Sequence, residues 1–232
     1  VFDVSKLQLS GIGMTSQRTR DRLIQRLRDQ GIQDERVLDV MRATPRHWFL
    51  DEALSHRAYE DSSLPIGYQQ TLSQPYIVAR MTELLLEGAQ PAKVLEVGAG
   101  SGYQTTILAQ LVGKVYSVER IKPLLEKARQ RLRKLGCRNV SLRHADGGFG
   151  WPERGPFDAI LSAAAPETVP PELLAQLAPG GRLVIPIGGA RQQQLCVYHC
   201  HPDAGEQRSD KDYQCEVIEP VLFVPLLGGV MS

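Results

Sequence analysis

The stretch that decides the fold reads Val94-Leu95-Glu96-Val97-Gly98-Ala99-Gly100-Ser101-Gly102-Tyr103. Its mainly apolar beginning predicts a short strand, and its alternating glycines predict a tight turn, because glycine adopts positive φ at little steric cost. After Tyr103, apolar residues recur at helical spacing up to Leu111 and stop before Gly113. The sequence therefore predicts a strand, a glycine loop whose amides can face a nucleotide-like ligand, and a helix.

The spacing of these glycines indicates the kind of ligand. A dinucleotide-binding loop reads Gly-x-Gly-x-x-Gly or Ala, which requires a small residue at the position of Tyr103. The Gly-x-Gly-x-Gly form resembles instead the first motif of class I S-adenosylmethionine-dependent methyltransferases, in which an acid inside the strand is usual. The resemblance implies a cofactor site at Glu96, Gly98, Gly100 and Gly102, and a plain structural turn is the alternative.

Two acidic residues follow at the ends of the next predicted strands. Glu119 ends the alternating segment Lys114–Glu119, where a carboxylate can accept hydrogen bonds from both hydroxyls of a ribose. Asp146 follows a strand around residues 140–142, and in methyltransferases of this class an acid there commonly binds the adenine amino group. The alternatives are a solvated glutamate at a strand end and an Asp-Gly turn.

The remaining pattern completes the fold. Strands alternate with helices from about residue 93 to 187, which predicts parallel strands joined by right-handed crossovers. Residues 179–181 predict a turn, and residues 194–199 and 214–224 predict an antiparallel pair. The fold class is α/β: a Rossmann-like, doubly wound, mostly parallel sheet with a helical N-terminal addition and antiparallel C-terminal edge strands.

Length and charge limit the domain count and the partners. The 232 residues are 42% hydrophobic and carry a formal net charge of +1. We expect residues 15–232 to form a single methyltransferase domain, and residues 1–14 a disordered extension. The near-zero charge offers no general attraction to nucleic acid, and the acids among the arginines of residues 18–28 favour a solvated helix face. We expect no nucleic-acid partner.

Membrane and metal sites are not expected either. No run approaches the ~18 apolar residues of a membrane span, and the N-terminus lacks a signal pattern, so we expect a cytoplasmic protein. Cys196, His199, Cys200 and His201 could suggest zinc. Strand alternation would place the cysteines on one face and the histidines on the other, so we expect packing rather than a metal.

The segment 58–75 lies just upstream of the helix that precedes the glycine loop. Its prolines and Gly67 oppose a continuous helix, while Thr71, Ser73 and the glutamines supply hydrogen-bonding groups. Ser73 is also placed to cap the helix that starts near Pro75, so a structural role is an alternative. Residues 162–167 lack the Asn/Asp-Pro-Pro-Tyr/Phe pattern associated with methylation of amide or nucleobase nitrogen.

From about Thr15 to Gly228 the chain resembles the protein-L-isoaspartate O-methyltransferase family. The shared motifs are Pro45-Arg46-His47, Ala58-Tyr59, Pro65-Ile66-Gly67, Gln70-Thr71-Leu72-Ser73-Gln74-Pro75, the glycine loop, Ala164-Ala165-Pro166-Glu167, Pro179-Gly180-Gly181-Arg182-Leu183 and Phe223-Val224-Pro225-Leu226. Residues 65–75 are the specific marker among them. Gln69, Leu72 and Trp48 depart from the residues more usual in the family and bear on the shape of the substrate groove.

The resemblance implies an enzyme that methylates the free α-carboxylate of L-isoaspartyl residues in damaged proteins and peptides. S-adenosyl-L-methionine would be the donor, S-adenosyl-L-homocysteine the product, and a succinimide the route of repair. Ser73 is implied as the active-site serine. The implied cofactor-contacting positions are Thr71, Gly98, Glu119, Asp146 and Gly147. The implied peptide-binding positions are Ile66, Gly67, Ala165 and Pro166, with exposed backbone amides near Ile66 and Ala165.

Two other functions remain as alternatives at this point. An RNA or small-molecule methyltransferase would need a basic groove or a nitrogen-acceptor motif. A binding module without catalysis would retain only the cofactor loop. We expect a monomer.

Overall fold

The computed structural model describes residues 13–88, 90–205 and 208–232. The expected extension at residues 1–14 lies almost entirely outside these ranges. The helices are α1 (Gln17–Asp29), α2 (Glu35–Ala43), α3 (Pro75–Leu86), α4 (Tyr103–Leu111), α5 (Lys122–Lys134) and α6 (Pro171–Ala175). The strands are β1 (Leu64–Gly67), β2 (Gln70–Leu72), β3 (Lys93–Val97), β4 (Lys114–Glu119), β5 (Val140–His144), β6 (Phe157–Ser162), β7 (Leu177–Gly189), β8 (Gln192–Cys200) and β9 (Tyr213–Val221).

The main sheet has seven strands in the order β5-β4-β3-β6-β7-β8-β9. The first five run parallel, and β8 and β9 are antiparallel to their neighbours. The chain winds outward from β3 to β5 and then returns to β6 on the other side of β3. Ligands of open α/β sheets bind at the carboxyl ends of the strands at such a reversal. The predicted fold class is confirmed, and its topology points to the crevice above β3 and β6.

Strand β3 is covered on both faces, as parallel strands generally are. Val94, Leu95, Glu96 and Val97 are all buried. Helices α1 to α3 add to the core on one side of the sheet, through residues such as Leu27, Val37 and Leu85. The N-terminal addition is therefore helical, as predicted. Arg20, however, is buried and does not belong to the solvated face expected for residues 18–28.

Two predicted boundaries differ from the structure. Strand β7 begins at Leu177, before the predicted turn. Its pairing with β6 jumps from Phe157↔Leu177 to Ala159↔Arg182, so residues 178–181 bulge out of register. Strand β9 ends at Val221 instead of residue 224. The last three residues of the predicted strand line cavities at the carboxyl edge of the sheet.

The cysteine and histidine cluster does not converge on one point. Cys196 and Cys200 are buried free thiols. His201 lies outside β8 with its Nδ1 3.8 Å from Asp203 Oδ2, and His199 Nε2 is 3.9 Å from Glu216 Oε2. Within the described ranges, no three His, Cys, Asp or Glu side chains are grouped to hold a metal ion. No helix in those ranges is long and apolar enough to cross a membrane.

Candidate active site

The glycine loop between β3 and α4 uses positive φ at each of its three glycines. The φ angles are 91° at Gly98, 52° at Gly100 and 88° at Gly102. Such angles are strained for other residues, which explains the alternating pattern. Close packing adds a second constraint, because a Cβ on Gly100 would lie 3.4 Å from Ile66 Cδ1 and one on Gly102 would lie 3.3 Å from Ala128 Cβ.

The amides of Gly98, Ala99, Gly100 and Gly102 bond within the protein and do not face a ligand as the sequence suggested. Gly98 and Ala99 donate to the Val118 carbonyl, and Gly100 donates to Glu119 Oε2 at 2.8 Å. Gly102 donates to the carbonyl of Ala99. The loop thus contributes shape and close approach instead of an anion cradle.

Tyr103 anchors the start of α4 in the core. Its ring is buried, packs edge-on against Phe49 at 5.2 Å between centroids, and lies 5.2 Å from the guanidinium carbon of Arg46. Arg46 is also fully buried, and its Nε donates to the Ala58 carbonyl at 2.8 Å. The tyrosine that argued against a dinucleotide loop therefore links the glycine loop to the segment before β1. The sequence identifies Arg46 only as part of the motif Pro45-Arg46-His47.

A cavity opens at the carboxyl ends of β3, β4 and β6, and we call it the main cavity. Its walls are Ile66, Gln70, Thr71, Leu72, Ser73, Val78, residues 97–101, Tyr103, Gln104, residues 118–120, Gly147, Ala163, Ala164 and residues 224–227. Seven predicted site residues line it: Ile66, Thr71, Ser73, Gly98, Gly100, Glu119 and Gly147.

A second opening adjoins the first, and we call it the side groove. It is lined by Ser63, Thr71, Ser73, Gln74, Ile77, Ala163 and residues 220–224. Thr71, Ser73, Ala163 and Val224 line both spaces. Gly67, Glu96, Gly102, Asp146, Ala165 and Pro166 are among the wall residues of neither.

Glu119 is held rigidly at the edge of the main cavity. Its Oε2 accepts from the Gly100 amide at 2.8 Å and its Oε1 accepts from the Ile121 amide at 2.9 Å. Each carboxylate oxygen has a second lone-pair site. Glu119 is therefore oriented and still able to accept two hydroxyl hydrogen bonds, as a ribose requires.

Glu96 lies behind the loop. Its Oε2 accepts from Thr105 Oγ1 of α4 and from Ser117 Oγ of β4, both at 2.5 Å. Complete burial raises the pKa of Glu96 to about 7. Its partners tie β3, β4 and α4 together, so the structure places it as a support of the loop.

Asp146 follows β5 and makes the turn that was the alternative interpretation. Its Oδ1 accepts from the Gly148 amide at 2.9 Å, and its Oδ2 accepts from the Gly229 amide at 2.5 Å. The next residue, Gly147, packs so closely that a Cβ would lie 2.5 Å from Val97 Cγ1. Gly147 thus brings backbone to the cavity wall, while Asp146 fastens the C-terminal segment.

Ser73 does not cap α3. The cap residue is Gln74, and no side-chain hydrogen bond caps this helix. The preceding hairpin of β1 and β2 turns through Tyr68 and Gln69, whose φ angles of 53° and 58° are uncommon for residues other than glycine. This hairpin leads directly to Thr71 and Ser73 at the junction of the two spaces.

The C-terminal segment, residues 222–231, forms a wall that sequence reasoning missed. Ala165 donates its amide to the Val224 carbonyl at 2.9 Å and accepts from the Leu226 amide at 2.8 Å. The backbone amide of Ala165 is therefore not exposed to a peptide, contrary to the expectation. Pro166 likewise uses its carbonyl to accept from Gly188. The available sequence signal for this wall was the apolar run after β9, which contains Pro225.

The main cavity suits S-adenosyl-L-methionine. It combines a closely approached glycine loop with a fixed carboxylate at the end of β4. A nucleoside linked through a sulfonium sulfur carries no phosphate and needs no phosphate cradle, which agrees with the internal use of the loop amides.

Comparison with known proteins gives one consistent result. A family model described as protein-L-isoaspartate(D-aspartate) O-methyltransferase matches residues 18–231. A protein-L-isoaspartate O-methyltransferase of Cellvibrio japonicus is 64% identical, covering 97% of this chain and 99% of that protein. A solved protein-L-isoaspartate O-methyltransferase is 28% identical with a TM-score of 0.77, covering 91% of this chain and 67% of that one.

A β-aspartate methyltransferase from Plasmodium falciparum, solved in complex with S-adenosyl-L-homocysteine, shares the fold. Its TM-score is 0.75 at 24% identity, covering 90% of this chain and 98% of that one. The motifs at residues 65–75 and 98–102, the cavity they enclose and the family match agree. The chain belongs to the protein-L-isoaspartate(D-aspartate) O-methyltransferase family.

Proposed function

We propose that the main cavity and the side groove divide the methyl transfer between them. The protein is a protein-L-isoaspartate O-methyltransferase that uses S-adenosyl-L-methionine and initiates repair of isoaspartyl residues. The donor occupies the main cavity, and the isoaspartyl chain enters from the side groove to meet it at Ser73. The observation that carries this assignment is that Thr71, Ser73, Ala163 and Val224 line both spaces.

The reaction needs alignment more than proton transfer. The donor supplies a methyl group on a sulfonium, which is already electrophilic. An isoaspartyl α-carboxylate, with a pKa near ~4, is already ionised at neutral pH, so no strong general base is required. Holding the carboxylate oxygen in line with the S–CH3 bond is worth up to ~7–11 kcal/mol in favourable cases. The Ser73 hydroxyl donates a hydrogen bond to the carboxylate and so fixes this alignment.

Repair follows from the chemistry of the ester. The backbone nitrogen of the next residue attacks the methyl ester, its N–C bond forms, and methanol leaves with the proton. Hydrolysis of the resulting succinimide converts a fraction of these residues to normal aspartyl residues.

The cofactor contacts follow from the same placement. Glu119 accepts the ribose hydroxyls, and Thr71, Gly98, Gly100 and Gly147 form the walls. Asp146 lies beside this site, where one of its oxygens can accept from the adenine amino group. Glu96 and Gly102 act behind the wall by fixing the loop.

The wider assignments follow from the sequence and its family. Residues 15–232 act as one catalytic domain. The partners are isoaspartyl-containing proteins and peptides, the protein works as a monomer, and it works in the cytoplasm.

The test pairs two peptides that differ only in an aspartyl or isoaspartyl linkage. With labelled S-adenosyl-L-methionine, we expect base-labile methyl ester on the isoaspartyl peptide alone. Label on neither peptide would indicate a binding module without catalysis.

The role of Ser73 is tested by Ser73→Ala. We expect the single-turnover rate to fall about 10- to 100-fold, the scale of one positioned hydrogen bond to a charged group, while cofactor affinity changes little. Ser63→Ala is the matched control, because Ser63 lines the side groove but not the main cavity. An unchanged single-turnover rate in Ser73→Ala would remove the serine from the mechanism.

A further inference from the structure

Gln193 is a buried glutamine outside the site described so far. Its side chain is 4% exposed, in strand β8. Its carboxamide makes two hydrogen bonds to one residue: Oε1 accepts from the Phe223 amide at 2.6 Å, and Nε2 donates to the Phe223 carbonyl at 3.1 Å. A carboxamide used in this way satisfies both backbone groups of its partner.

These bonds continue the sheet beyond the end of β9. In the backbone register Gln193 pairs with Val221, the last residue of β9. Phe223 lies two residues further on, where β8 offers no further backbone partner. The side chain of Gln193 therefore takes the place of a strand peptide group and holds Phe223 beside the start of β8.

The residues held in this way are a wall of the side groove. Leu222, Phe223 and Val224 all line it, and Leu222 is 75% exposed. A large apolar side chain exposed at a groove is a candidate contact for an apolar ligand group. The next part of the chain has separate fastenings, because Val224 and Leu226 bond to Ala165. Loss of the Gln193 bonds would thus affect the side groove more than the main cavity.

We propose that Gln193 is a positioning residue for the acceptor: it fixes the wall from which Leu222 contacts an apolar side chain next to the isoaspartyl residue. The inference rests on the proposed entry of the acceptor through the side groove to Ser73. Gln193 itself touches neither substrate nor cofactor.

The first experiment replaces Gln193 by methionine, which keeps the length of the side chain and removes both hydrogen bonds. We expect KM for an isoaspartyl peptide to rise about 5- to 20-fold, because two hydrogen bonds that order the wall are lost. We expect kcat and the Kd of S-adenosyl-L-homocysteine to stay within about twofold of wild type. Gln192→Met is the matched control, because Gln192 is exposed in the same strand. Gln193→Glu keeps only the acceptor and should lie nearer to Gln193→Met than to wild type.

A merely structural role for Gln193 would change the melting temperature and leave KM untouched, and that result would overturn the proposal. An equal loss in KM and in affinity for S-adenosyl-L-homocysteine would also overturn it, because the wall would then serve both spaces alike.

The second experiment tests Leu222 with two isoaspartyl peptides, one with leucine and one with glutamate beside the isoaspartyl residue. We expect wild type to prefer the leucine peptide in kcat/KM and Leu222→Ala to lose at least half of that ratio. In Gln193→Met, the further change Leu222→Ala should then have little effect, because the wall that carries it is no longer fixed. Additive effects would contradict the coupling. Failure of the proposed function would appear differently, as an unchanged Ser73→Ala rate.

Discussion

At the scale of single residues, Glu119 shows how the protein prepares a binding group. Two backbone amides, of Gly100 and Ile121, hold its carboxylate before any ligand arrives. A carboxylate that accepts amide hydrogen bonds loses little further freedom on binding, so its contact is preorganised. The same bond to Gly100 links the carboxylate to the glycine loop.

We predict that Glu119→Ala weakens the binding of S-adenosyl-L-homocysteine about 10- to 100-fold, because two charge-assisted hydrogen bonds are lost. Calorimetry measures this affinity directly. Glu126→Ala, on the exposed side of α5, is the control and should bind as wild type does. Unaltered affinity in Glu119→Ala would exclude the residue from the ribose site.

Glu96 predicts a dependence of stability on pH. Its pKa is raised by burial from 4.5 to about 7. Between these values the folded protein keeps the proton that the unfolded chain has lost. The stability from this group is therefore full below pH 4.5, falls as the pH rises, and stays low above pH 7.

We predict that wild type loses on the order of 3 kcal/mol relative to Glu96→Gln between pH 4.5 and 7.5, since a pKa difference of one between the folded and unfolded chain corresponds to about 1.4 kcal/mol. Urea denaturation of both proteins across this pH range gives the difference. The subtraction cancels all other titrating groups. A difference that does not change with pH would mean that the Glu96 pKa is not raised.

At the scale of elements, the C-terminal segment crosses the carboxyl edge of the sheet and is hydrogen-bonded to three of its loops. It bonds to Ala165 after β6, to Asp146 after β5, and to Arg120 after β4 through Met231. Between these points Val224 to Leu227 line the main cavity. A segment fastened at several separate loops can open only when their hydrogen bonds break.

We predict that Asp146→Asn weakens the attachment of the C-terminal segment. The new NH2 group must face an amide N–H of Gly148 or Gly229, so one hydrogen bond is lost whichever way the side chain turns. Stopped-flow measurement should show S-adenosyl-L-homocysteine dissociating about tenfold faster, as for one charge-assisted hydrogen bond. Limited proteolysis without ligand should cut the C-terminal segment sooner. If Asp146 served adenine alone, the proteolysis of the unliganded protein would not change.

At the scale of the whole molecule, the site is assembled from distant parts of the chain. Five stretches of chain meet at the carboxyl ends of the parallel strands: Ile66 with residues 70–73, and residues 97–101, 118–120, 163–164 and 224–227. Binding at such a place joins elements that are far apart in sequence. The ligand should therefore stabilise the folded chain as a unit.

We predict that S-adenosyl-L-homocysteine at 100 times its Kd stabilises the protein by about 2.7 kcal/mol. For a chain of this size, that corresponds to a rise in melting temperature of about 5–11 °C. Differential scanning calorimetry measures it. Glu119→Ala at the same ligand concentration should show a much smaller rise. An equal rise in that variant would place the ligand elsewhere.

Local patterns in the sequence were enough to predict most of the strands and helices of the main sheet and the tight turn of the glycine loop. Apolar periodicity predicted β4 and α4 at their observed bounds. The glycines at 98, 100 and 102 predicted a tight turn, because positive φ angles favour glycine at those positions. The family motif around Ser73 could be read for the same reason, since it is local. Each of these signals lies within a short stretch of chain.

Only the tertiary structure shows which polar groups already form hydrogen bonds within the protein. The four loop amides of Gly98 to Gly100 and Gly102, the Ala165 amide and the Asp146 carboxylate were expected to face a ligand. Each bonds instead to a partner about 20 to 80 residues away or across a turn. The fastening of the C-terminal segment and the hydrogen bonds between Gln193 and Phe223 could not be predicted from the sequence, for the same physical reason. A hydrogen bond between distant residues leaves no periodicity in the sequence, so its partner appears only when the fold brings the two together.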